Sequence, residues 1–197
     1  MDKLDLKKAD RPFYAGKVGQ WTQITLPAVQ YLAIEGRGDP GGADYAAALA
    51  ALYPLACGIK FAQKAEGRDF VVPPLSAVWW SDDLDAFTSN ARESWQWRAM
   101  IRMPDYVTQA DFAAAKVSKE VEAPVELISV EEGLCLQTLH VGPYTDEGPV
   151  LADLHDNVMP AMGLTFGEPH HEIYLSDPRR VAAEKLRTIL RQPVKPL

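Results

Sequence analysis

The first clear pattern along the chain is a strand followed by an apolar helix. Residues 29–36 alternate between apolar and polar side chains and end at Gly36, which predicts a β-strand. A turn rich in glycine and proline follows, and residues 43–57 then predict a helix that Gly58 closes. Glycine suits both the strand end and the helix end because it adopts a positive φ without a steric cost.

The same order of elements recurs in the second half of the chain. Residues 134–142 predict a strand that ends at Gly142, and residues 147–162 predict a helix closed by Gly163. The strand-end and helix-end glycines are 22 residues apart in the first copy and 21 in the second. An internal repeat with this spacing predicts two similar halves.

The correspondence continues after each helix. Residues 77–82 and 172–177 both predict a strand that runs into a Ser-Asp turn. Residues 97–104 and 186–193 both predict an alternating strand that ends at a proline, because proline cannot donate a ladder hydrogen bond. Each half therefore adds two strands after its helix.

A further strand is predicted before each half, at 20–25 and at 125–130, which gives an α+β chain of about eight strands and two long helices. Pro54 and Pro160 fall late in the two helices and are expected to kink or end them. Thr108, with an acid three residues later, predicts the capping box of a connector helix. The predicted organisation is an N-terminal extension over 1–19 and one domain over 20–197, made of a first repeat 20–107, a connector helix 108–121 and a second repeat 122–197.

Composition and charge narrow the class of protein. The net charge of −7 opposes nonspecific binding to nucleic acid or anionic lipid and mildly favours cationic ligands. The N-terminus has no apolar core of a signal peptide, and no run of about 20 apolar residues predicts a membrane span. Cys57 and Cys135 lie in apolar stretches and are expected to be buried free thiols. We therefore expect a soluble cytoplasmic protein that binds neither nucleic acid nor membrane, and its oligomeric state stays open.

Glu172 is the strongest candidate for a functional residue. On its predicted strand Ile173 and Leu175 point one way, and Glu172 and Tyr174 point the other. If the apolar pair faces the helices, Glu172 and Tyr174 face either solvent or a cleft. A carboxylate in a cleft can pair with a cation or transfer protons, whereas the alternative is an ordinary solvent-facing glutamate.

Aromatic residues supply a second group of candidates, because their rings hold flat apolar ligands and attract cations. The positions equivalent to Glu172 and Tyr174 in the first half are Ala77 and Trp79. Core packing is an equally good interpretation for any one tryptophan. The candidate ligand-binding residues are Trp79, Trp80, Trp97, Tyr144 and His140, with Glu172 and Tyr174, and Tyr45 is weaker.

No cofactor or metal is predicted. The chain has no phosphate-binding loop, dinucleotide-binding fingerprint or nucleophile elbow. His170 and His171 are adjacent on a strand, so they point to opposite faces and cannot both bind a metal beside Glu172 without a bulge.

Three segments together resemble the GyrI-like small-molecule-binding family over nearly the whole chain from about residue 20. They are LHVGPY at 139–144, WWSD at 79–82, and EIYLSDPRR at 172–180 followed by EKLRTILRQPV at 184–194, the last being the most distinctive. The resemblance implies a tandem repeat that builds a curved antiparallel sheet with two helices on one face and a ligand cleft between the halves.

The resemblance also implies two functions. Regulators of this family bind cationic drugs through a late-strand glutamate, which Glu172 matches, although we expect no helix-turn-helix domain before the first strand here. Some stand-alone relatives hydrolyse electrophilic cyclopropane-bearing DNA alkylators with acids and aromatics, and Glu172 would then be catalytic. Such relatives are expected to carry an acid before the paired tryptophans, where this chain has Leu75, Ser76 and Ala77. That difference favours binding of a small molecule that is apolar and can be cationic over hydrolysis.

Overall fold

A computed structural model describes residues 3–82 and 91–197. The strands in these residues are β1 Thr22–Leu26, β2 Val29–Arg37, β3 Leu75–Trp80, β4 Gln96–Met103, β5 Glu126–Val130, β6 Gly133–Val141, β7 Leu164–Phe166, β8 His170–Tyr174 and β9 Arg187–Pro196. The helices are α1 Leu6–Ala9, α2 Ala43–Ala65, α3 Gln109–Ser118, α4 Gly148–Asp153 and α5 Met159–Ala161, with a π-helical turn Leu154–Val158 between the last two. Short 3-10 turns lie at Arg11–Phe13, Arg92–Ser94, Tyr144–Asp146 and Ala183–Lys185.

The described chain divides into two compact units. Unit 1 consists of Met1–Ala9 and Val29–Val130, and unit 2 consists of Asp10–Ala28 and Glu131–Leu197. Each unit combines antiparallel strands with helices, so the predicted α+β class is confirmed.

Unit 1 contains four strands in the order β5-β2-β4-β3, all antiparallel. Strand β2 is apolar on both faces over most of its length, and α2 packs on it. Leu32, Leu52, Leu55 and Ile59 are fully buried, so the core of this unit lies between the strands and α2. A fully buried aliphatic side chain contributes roughly 1.5–3 kcal/mol, and this burial sets the position of the helix.

Unit 2 contains the antiparallel order β1-β6-β9-β8, and β7 pairs with the far end of β9. Leu136 on β6 packs with Leu154 and Met159 from the helical segment and with Leu164 and Val194. The helical segment therefore covers the face of the strands that carries Leu136.

The leading strands divide between the units differently from the sequence repeat. Strand β1, predicted to open the first repeat, pairs with β6 in unit 2, whereas β5, predicted to open the second, pairs with β2 in unit 1. The local sequence pattern predicts that a strand exists. Which strand it pairs with depends on residues far apart in sequence, and periodicity does not specify that.

Helix α2 corrects the predicted helix end at Cys57. The helix continues through Pro54 and Gly58 to Ala65. A Cβ on Gly58 would lie 3.1 Å from the Lys119 side chain, so the glycine allows the end of α3 to approach. The full burial of Ile59 in the next turn outweighs the roughly 1 kcal/mol that an internal glycine costs.

By length and composition, α2 is also the one helix in the described residues that qualifies as a membrane span, with a mean hydropathy of 1.4. The sequence predicted no such span, because a proline and two lysines interrupt the apolar run. Its fully buried residues Leu52, Leu55 and Ile59 identify α2 as the core helix of unit 1.

The other two predicted helices lie at the expected positions in the sequence, but one of them is interrupted. The connector α3 has the predicted capping box, in which Thr108 accepts from Asp111 N and the Asp111 side chain bonds back to Thr108 N. The second long helix is not continuous, because the π-turn separates α4 from α5 and places Pro160 in the first turn of α5.

Strand β9 extends beyond Pro193, where we predicted its end. Its last pair with β8 is His171 with Arg191, and β7 pairs with it from Val194 onwards. Pro193 falls between these two neighbours, so its missing N–H removes no hydrogen bond on that side of the strand. The short β7 itself was not predicted.

A buried ion network fixes the opposite face of unit 2. The Arg191 guanidinium is fully buried and binds Glu132 at 2.5 Å, the Gln137 side chain at 2.7 Å and the Phe13 carbonyl at 2.6 Å. The His171 ring lies 2.7 Å from the other Glu132 oxygen. The charges of His171 and Arg191 outweigh burial and lower the pKa of Glu132 to about 2. The network therefore joins the N-terminal segment to β6, β8 and β9.

Candidate functional site

Three neighbouring strands of unit 2 place polar side chains in one row. Thr188 on β9 lies opposite His140 on β6 and opposite Tyr174 on β8. Residues directly opposite each other in antiparallel strands project to the same face of the sheet. His140, Thr188 and Tyr174 therefore share a face, and Glu172 shares it because it lies two residues from Tyr174.

That face carries the helices of unit 2, which changes the basis of our prediction for Glu172. Ile173 packs on the opposite face with Leu139 and Ile189, against Tyr14 of the N-terminal segment. The apolar pair on β8 was expected to face the helices if Glu172 faced a cleft. Instead, Glu172 lies on the helix side and Ile173 does not.

Glu172 is held by residues of its own strand. The Tyr174 hydroxyl donates to Glu172 Oε2 at 2.8 Å, and His170 Nε2 lies 3.6 Å from Glu172 Oε1. The Glu172 and His170 side chains are each only 15% exposed. The predicted pairing of Glu172 and Tyr174 on one face is thus present, and His170 joins them because every second residue of a strand shares a face.

A second carboxyl group, Glu147, approaches this strand from the head of α4. Glu147 is the N-cap residue of that helix and is 5% exposed. Burial raises its pKa to about 9, with further contributions from the charge of Glu172 and a hydrogen bond with that residue. Glu147 therefore carries a proton at neutral pH while it lies beside a second acid, an arrangement suited to proton transfer.

The Thr188 hydroxyl lies close enough to Glu147 to lower its pKa, an effect smaller than those of burial and of Glu172. Within the described residues, neither Thr188 Oγ1 nor Glu147 Oε1 completes a hydrogen bond of ordinary geometry. The carboxyl pair thus has an unpaired hydroxyl beside it.

Glu147 was not among the predicted site residues, because we assigned it only to the start of a helix. Acidic residues are favourable and common near helix N-termini, so its sequence position gives no functional signal. Only the structure shows that Glu147 makes no side-chain capping hydrogen bond and lies beside Glu172.

Tyr144 lies at the edge of the carboxyl pair. Its ring meets the Tyr174 ring edge-on, with centroids 5.5 Å apart, and it is 40% exposed. Burial raises the pKa of its hydroxyl to about 12, and the charges of Glu147, Glu172 and Asp177 add to that effect. Tyr144 is therefore an uncharged, partly exposed ring next to both acids.

His140 has a local structural contact. Its Nε2 lies 3.1 Å from the Pro143 carbonyl oxygen, across the turn that Gly142 makes with a φ of +142°. This contact holds the turn before Tyr144. A ligand contact for His140 stays a prediction.

The predicted aromatic residues of unit 1 form a separate cluster. Tyr45 meets the Trp97 ring edge-on at 5.0 Å and the Trp79 ring at 5.7 Å between centroids. Trp79 and Trp97 are buried, whereas Trp80 is half-buried on the opposite face of β3. The core interpretation therefore applies to Trp79 and Trp97, and their ligand-binding roles, like that of Trp80, stay predictions.

The two adjacent histidines project to opposite faces, as the strand geometry requires. His170 lies beside Glu172, and His171 lies in the ion network with Glu132. Among residues 3–82 and 91–197, no group of three or more His, Cys, Asp or Glu side chains has a geometry that could hold a metal ion. Cys135 is buried as predicted, whereas Cys57 is only half-buried, and neither forms a disulfide.

With this geometry described, comparison with known proteins identifies the family. A model of the GyrI-like small molecule binding domain matches residues 20–195. The chain belongs to this GyrI-like family. The resemblance carried by the sequence motifs is thereby confirmed, and the chain is a small-molecule-binding domain of GyrI-like type.

Solved structures give the same result for the fold. An uncharacterized conserved protein from Listeria innocua is 38% identical to this GyrI-like domain, covers 98% of it and 100% of its own chain, and superposes with a TM-score of 0.89. A hydrolase from Listeria innocua is also 38% identical with the same coverage and a TM-score of 0.84. The C-terminal domain of EcmrR, 10% identical over 90% of this chain and 98% of its own, has a TM-score of 0.59 and shares the fold alone. No curated protein matches the chain.

Proposed function

We propose that this GyrI-like domain is a hydrolase of an electrophilic small molecule, with Glu147 as the general acid and Glu172 as the general base. The observation that carries the proposal is the pair of mostly buried carboxyl groups, Glu147 and Glu172, that interact on the helix face of unit 2. Glu147 provides a second acid beside Glu172, although this chain lacks the acid that we expect in the hydrolytic relatives before the paired tryptophans.

Glu147 has the properties of a general acid. It is almost fully buried, and burial together with the neighbouring Glu172 keeps its pKa near 9, so it holds a transferable proton at pH 7. A carboxyl group in water, with a pKa near 4, would have lost that proton.

Glu172 has the properties of a general base. It is mostly buried, and the Tyr174 hydroxyl donates to one of its oxygens at 2.8 Å. A hydrogen bond donated to a carboxylate stabilises its charge and fixes its orientation. The other oxygen remains directed toward His170 and can accept a proton from water.

The substrate class follows from the family resemblance, which implies a strained, electrophilic cyclopropane. Conjugation of the ring to a carbonyl group is the chemistry that we propose makes it electrophilic. Glu172 takes a proton from water, and the water oxygen forms a bond to a ring carbon. The ring carbon–carbon bond breaks, and its electron pair moves through the conjugated system to the carbonyl oxygen, which takes the proton of Glu147. The net reaction adds one water molecule, and the proton on Glu172 returns to Glu147 through solvent.

The whole-length relatives support hydrolysis. The hydrolase from Listeria innocua is 38% identical to this chain over its full length, so its named activity is a closer guide than that of structures sharing the fold alone. The edges of Tyr144 and Tyr174 provide an apolar border for a flat substrate beside the acids.

The experiment compares Glu147→Gln, Glu172→Gln and the exposed control Glu184→Gln on a spirocyclopropyl dienone, with ring opening followed by absorbance. General acid or base catalysis typically contributes 10²–10⁴-fold, so each site variant should lose about that much of kcat. The control should keep the parent rate. Equal rates for all four proteins, or no ring opening at high enzyme concentration, would remove hydrolysis as the function.

Binding of a lipophilic cation without turnover is the second candidate. It is favoured by a mostly buried carboxyl group, Glu172, bordered by the rings of Tyr144 and Tyr174. Calorimetric titration with tetraphenylphosphonium tests it. A binder should lose affinity on Glu172→Gln, and it should show no change in dienone concentration over time.

A further inference from the structure

Thr188 occupies the centre of the polar row in unit 2. It lies on β9 between His140 of β6 and Tyr174 of β8, and it is 0% exposed. Its hydroxyl completes no hydrogen bond within the described residues. A buried hydroxyl without a partner is costly, and a valine of the same shape would avoid that cost.

Glu147 has the complementary property. Its Oε1 atom is buried and also completes no hydrogen bond in the described part of the chain, although the carboxyl group interacts with Glu172. The Thr188 hydroxyl therefore lies within reach of the Glu147 carboxyl group, where it lowers the pKa, but it completes no hydrogen bond of ordinary geometry in the resting protein. While Glu147 is protonated, its neutral oxygen is a weaker acceptor than a carboxylate.

We propose that Thr188 is a positioning residue whose hydroxyl is held for the ionised form of Glu147. The proposal rests on the proposed hydrolysis, in which Glu147 ends the ring-opening step as a carboxylate. The O–H bond of Thr188 stays intact and donates its hydrogen bond to Glu147 when the Glu147 proton has moved to the substrate oxygen.

An interaction of this kind favours the reaction rather than the resting state. Binding energy that appears only as charge develops lowers the barrier, whereas a contact present equally in both states does not. A fixed donor in a buried site needs no reorganisation when that charge forms. The unpaired hydroxyl in the resting protein is then the cost of having the donor already in place.

The electrostatics of Glu147 agree with this role. Among the groups that act on its pKa, burial and Glu172 raise it, and the Thr188 hydroxyl lowers it by favouring the ionised form. In the described part of the chain, the titratable side chains around the Glu147–Glu172 pair include His170 and Tyr174 on β8, Tyr144 in the turn before α4 and His140 on β6.

The first test needs no substrate. In protein with 13C-labelled glutamate side chains, the Glu147 carboxyl signal is assigned with Glu147→Gln and followed by NMR between pH 5 and 11. Thr188→Val should raise the pKa of Glu147 by about 1, the effect of losing one hydrogen bond to a carboxylate. Thr188→Ser, which keeps the hydroxyl, should restore the value. An unchanged pKa in Thr188→Val would overturn the proposal.

The stability of the same variants separates positioning from a structural role. At pH 6, where Glu147 is protonated, Thr188→Val should unfold at the same urea concentration as the parent or a higher one, because no hydrogen bond is lost. A lower midpoint at pH 6 would assign Thr188 a structural role instead.

Kinetics then tests the consequence for the reaction. With the dienone, Thr188→Val should lower kcat about tenfold with little change in KM, the rate counterpart of a pKa change of about 1, and Thr188→Ser should retain most of the rate. An unchanged kcat would overturn the proposal. If no protein turns over the dienone, the proposed hydrolysis fails, while the NMR titration still decides whether Thr188 serves ionised Glu147.

Discussion

The two units carry different kinds of side chain between the head of a helix and the strands that face it. In unit 1 the head of α2 places Tyr45 against Trp79 on β3 and Trp97 on β4. In unit 2 the head of α4 places Glu147 against Glu172 on β8. The sequence repeat pairs Trp79 with Tyr174 and Ala77 with Glu172, so one half carries aromatic rings where the other carries acids and a tyrosine.

This difference shows where chemistry can reside in a repeated scaffold. Aromatic rings are satisfied by packing alone, and their burial stabilises the fold. The buried carboxyl group of Glu147 is not, because burial and the charge of Glu172 oppose its ionisation. Sites that depart from the best packing in this way are candidates for function, which is why unit 2 carries the proposed reaction.

The main helices of the two units also differ, and the irregular one lies in unit 2. Helix α2 runs without interruption for 23 residues. Its counterpart is broken by the π-turn Leu154–Val158, in which His155 packs edge-on against Phe166 at 4.8 Å. Single π-turns inside helices are frequent at functional sites, and this one belongs to the unit with the carboxyl pair.

The largest effect should come from the ion network that holds β8 and β9 in unit 2. Arg191→Met leaves the Glu132 carboxylate buried without the guanidinium that binds its Oε2 atom, so the free energy of unfolding should fall by about 3–5 kcal/mol. Urea unfolding measures the change. Adding Glu132→Gln to Arg191→Met should recover part of the loss, and a loss below about 1 kcal/mol would show that unit 2 does not depend on this charge pair.

The aromatic cluster of unit 1 can be tested through its glycine. A Cβ on Gly36 would lie 2.2 Å from the Trp97 ring, which is buried and cannot move away, so Gly36→Ala should cost about 3 kcal/mol. Gly148→Ala in unit 2 is the matched control, because its Cβ would meet nothing within 4 Å. Similar unfolding midpoints for the two variants would mean that Trp97 packs less closely on β2 than described.

The carboxyl pair should give unit 2 a dependence on pH that the aromatic cluster lacks. The pKa of Glu147 rises from about 4.5 when unfolded to about 9 when folded, so the folded protein binds the extra proton between these values. Stability should therefore fall as pH increases from 5 to 9, by at least about 2 kcal/mol. Comparison of the parent with Glu147→Gln at each pH isolates this effect, and parallel curves for the two proteins would contradict it.

Glu132 should act in the opposite direction at low pH. Its folded pKa of about 2 lies below its ordinary value of 4.5, so its contribution is complete above pH 4.5 and is lost as the pH falls toward 2. Acid unfolding of the parent and Glu132→Gln should show a smaller acid-induced loss of stability in the variant.

The smallest effect should come from the hydrogen bond that orients Glu172. Tyr174→Phe keeps the ring against Tyr144 but removes the donor to Glu172, which should cost about 1 kcal/mol in the free energy of unfolding. Tyr144→Phe serves as the control on the partner ring. A larger loss in the control than in Tyr174→Phe would show that ring packing rather than the hydrogen bond holds this pair.

Much of the fold was predictable because its signals are local. The apolar runs of β2 and β6, the capping box at Thr108 and the repeated glycines each depend on a few neighbouring residues. The end of α2 and the passage of β9 through Pro193 were not predictable, because burial of Ile59 and a change of neighbouring strand override the local rule. The shared face of Glu172 and Tyr174 was predictable from strand alternation. The position of Glu147 was not, because it depends on where the tertiary structure places the N-terminus of α4.

By itself, the sequence determined that the chain is an α+β repeat of the GyrI-like family, because periodicity, turn residues and family motifs are all local features of the sequence. It also determined that Glu172 and Tyr174 share a face. Tertiary structure alone decided which face that is, which leading strand joins which unit, and that Glu147 lies beside Glu172. These outcomes depend on contacts between residues far apart in sequence, where packing and desolvation rather than local pattern set the position and the protonation of a side chain.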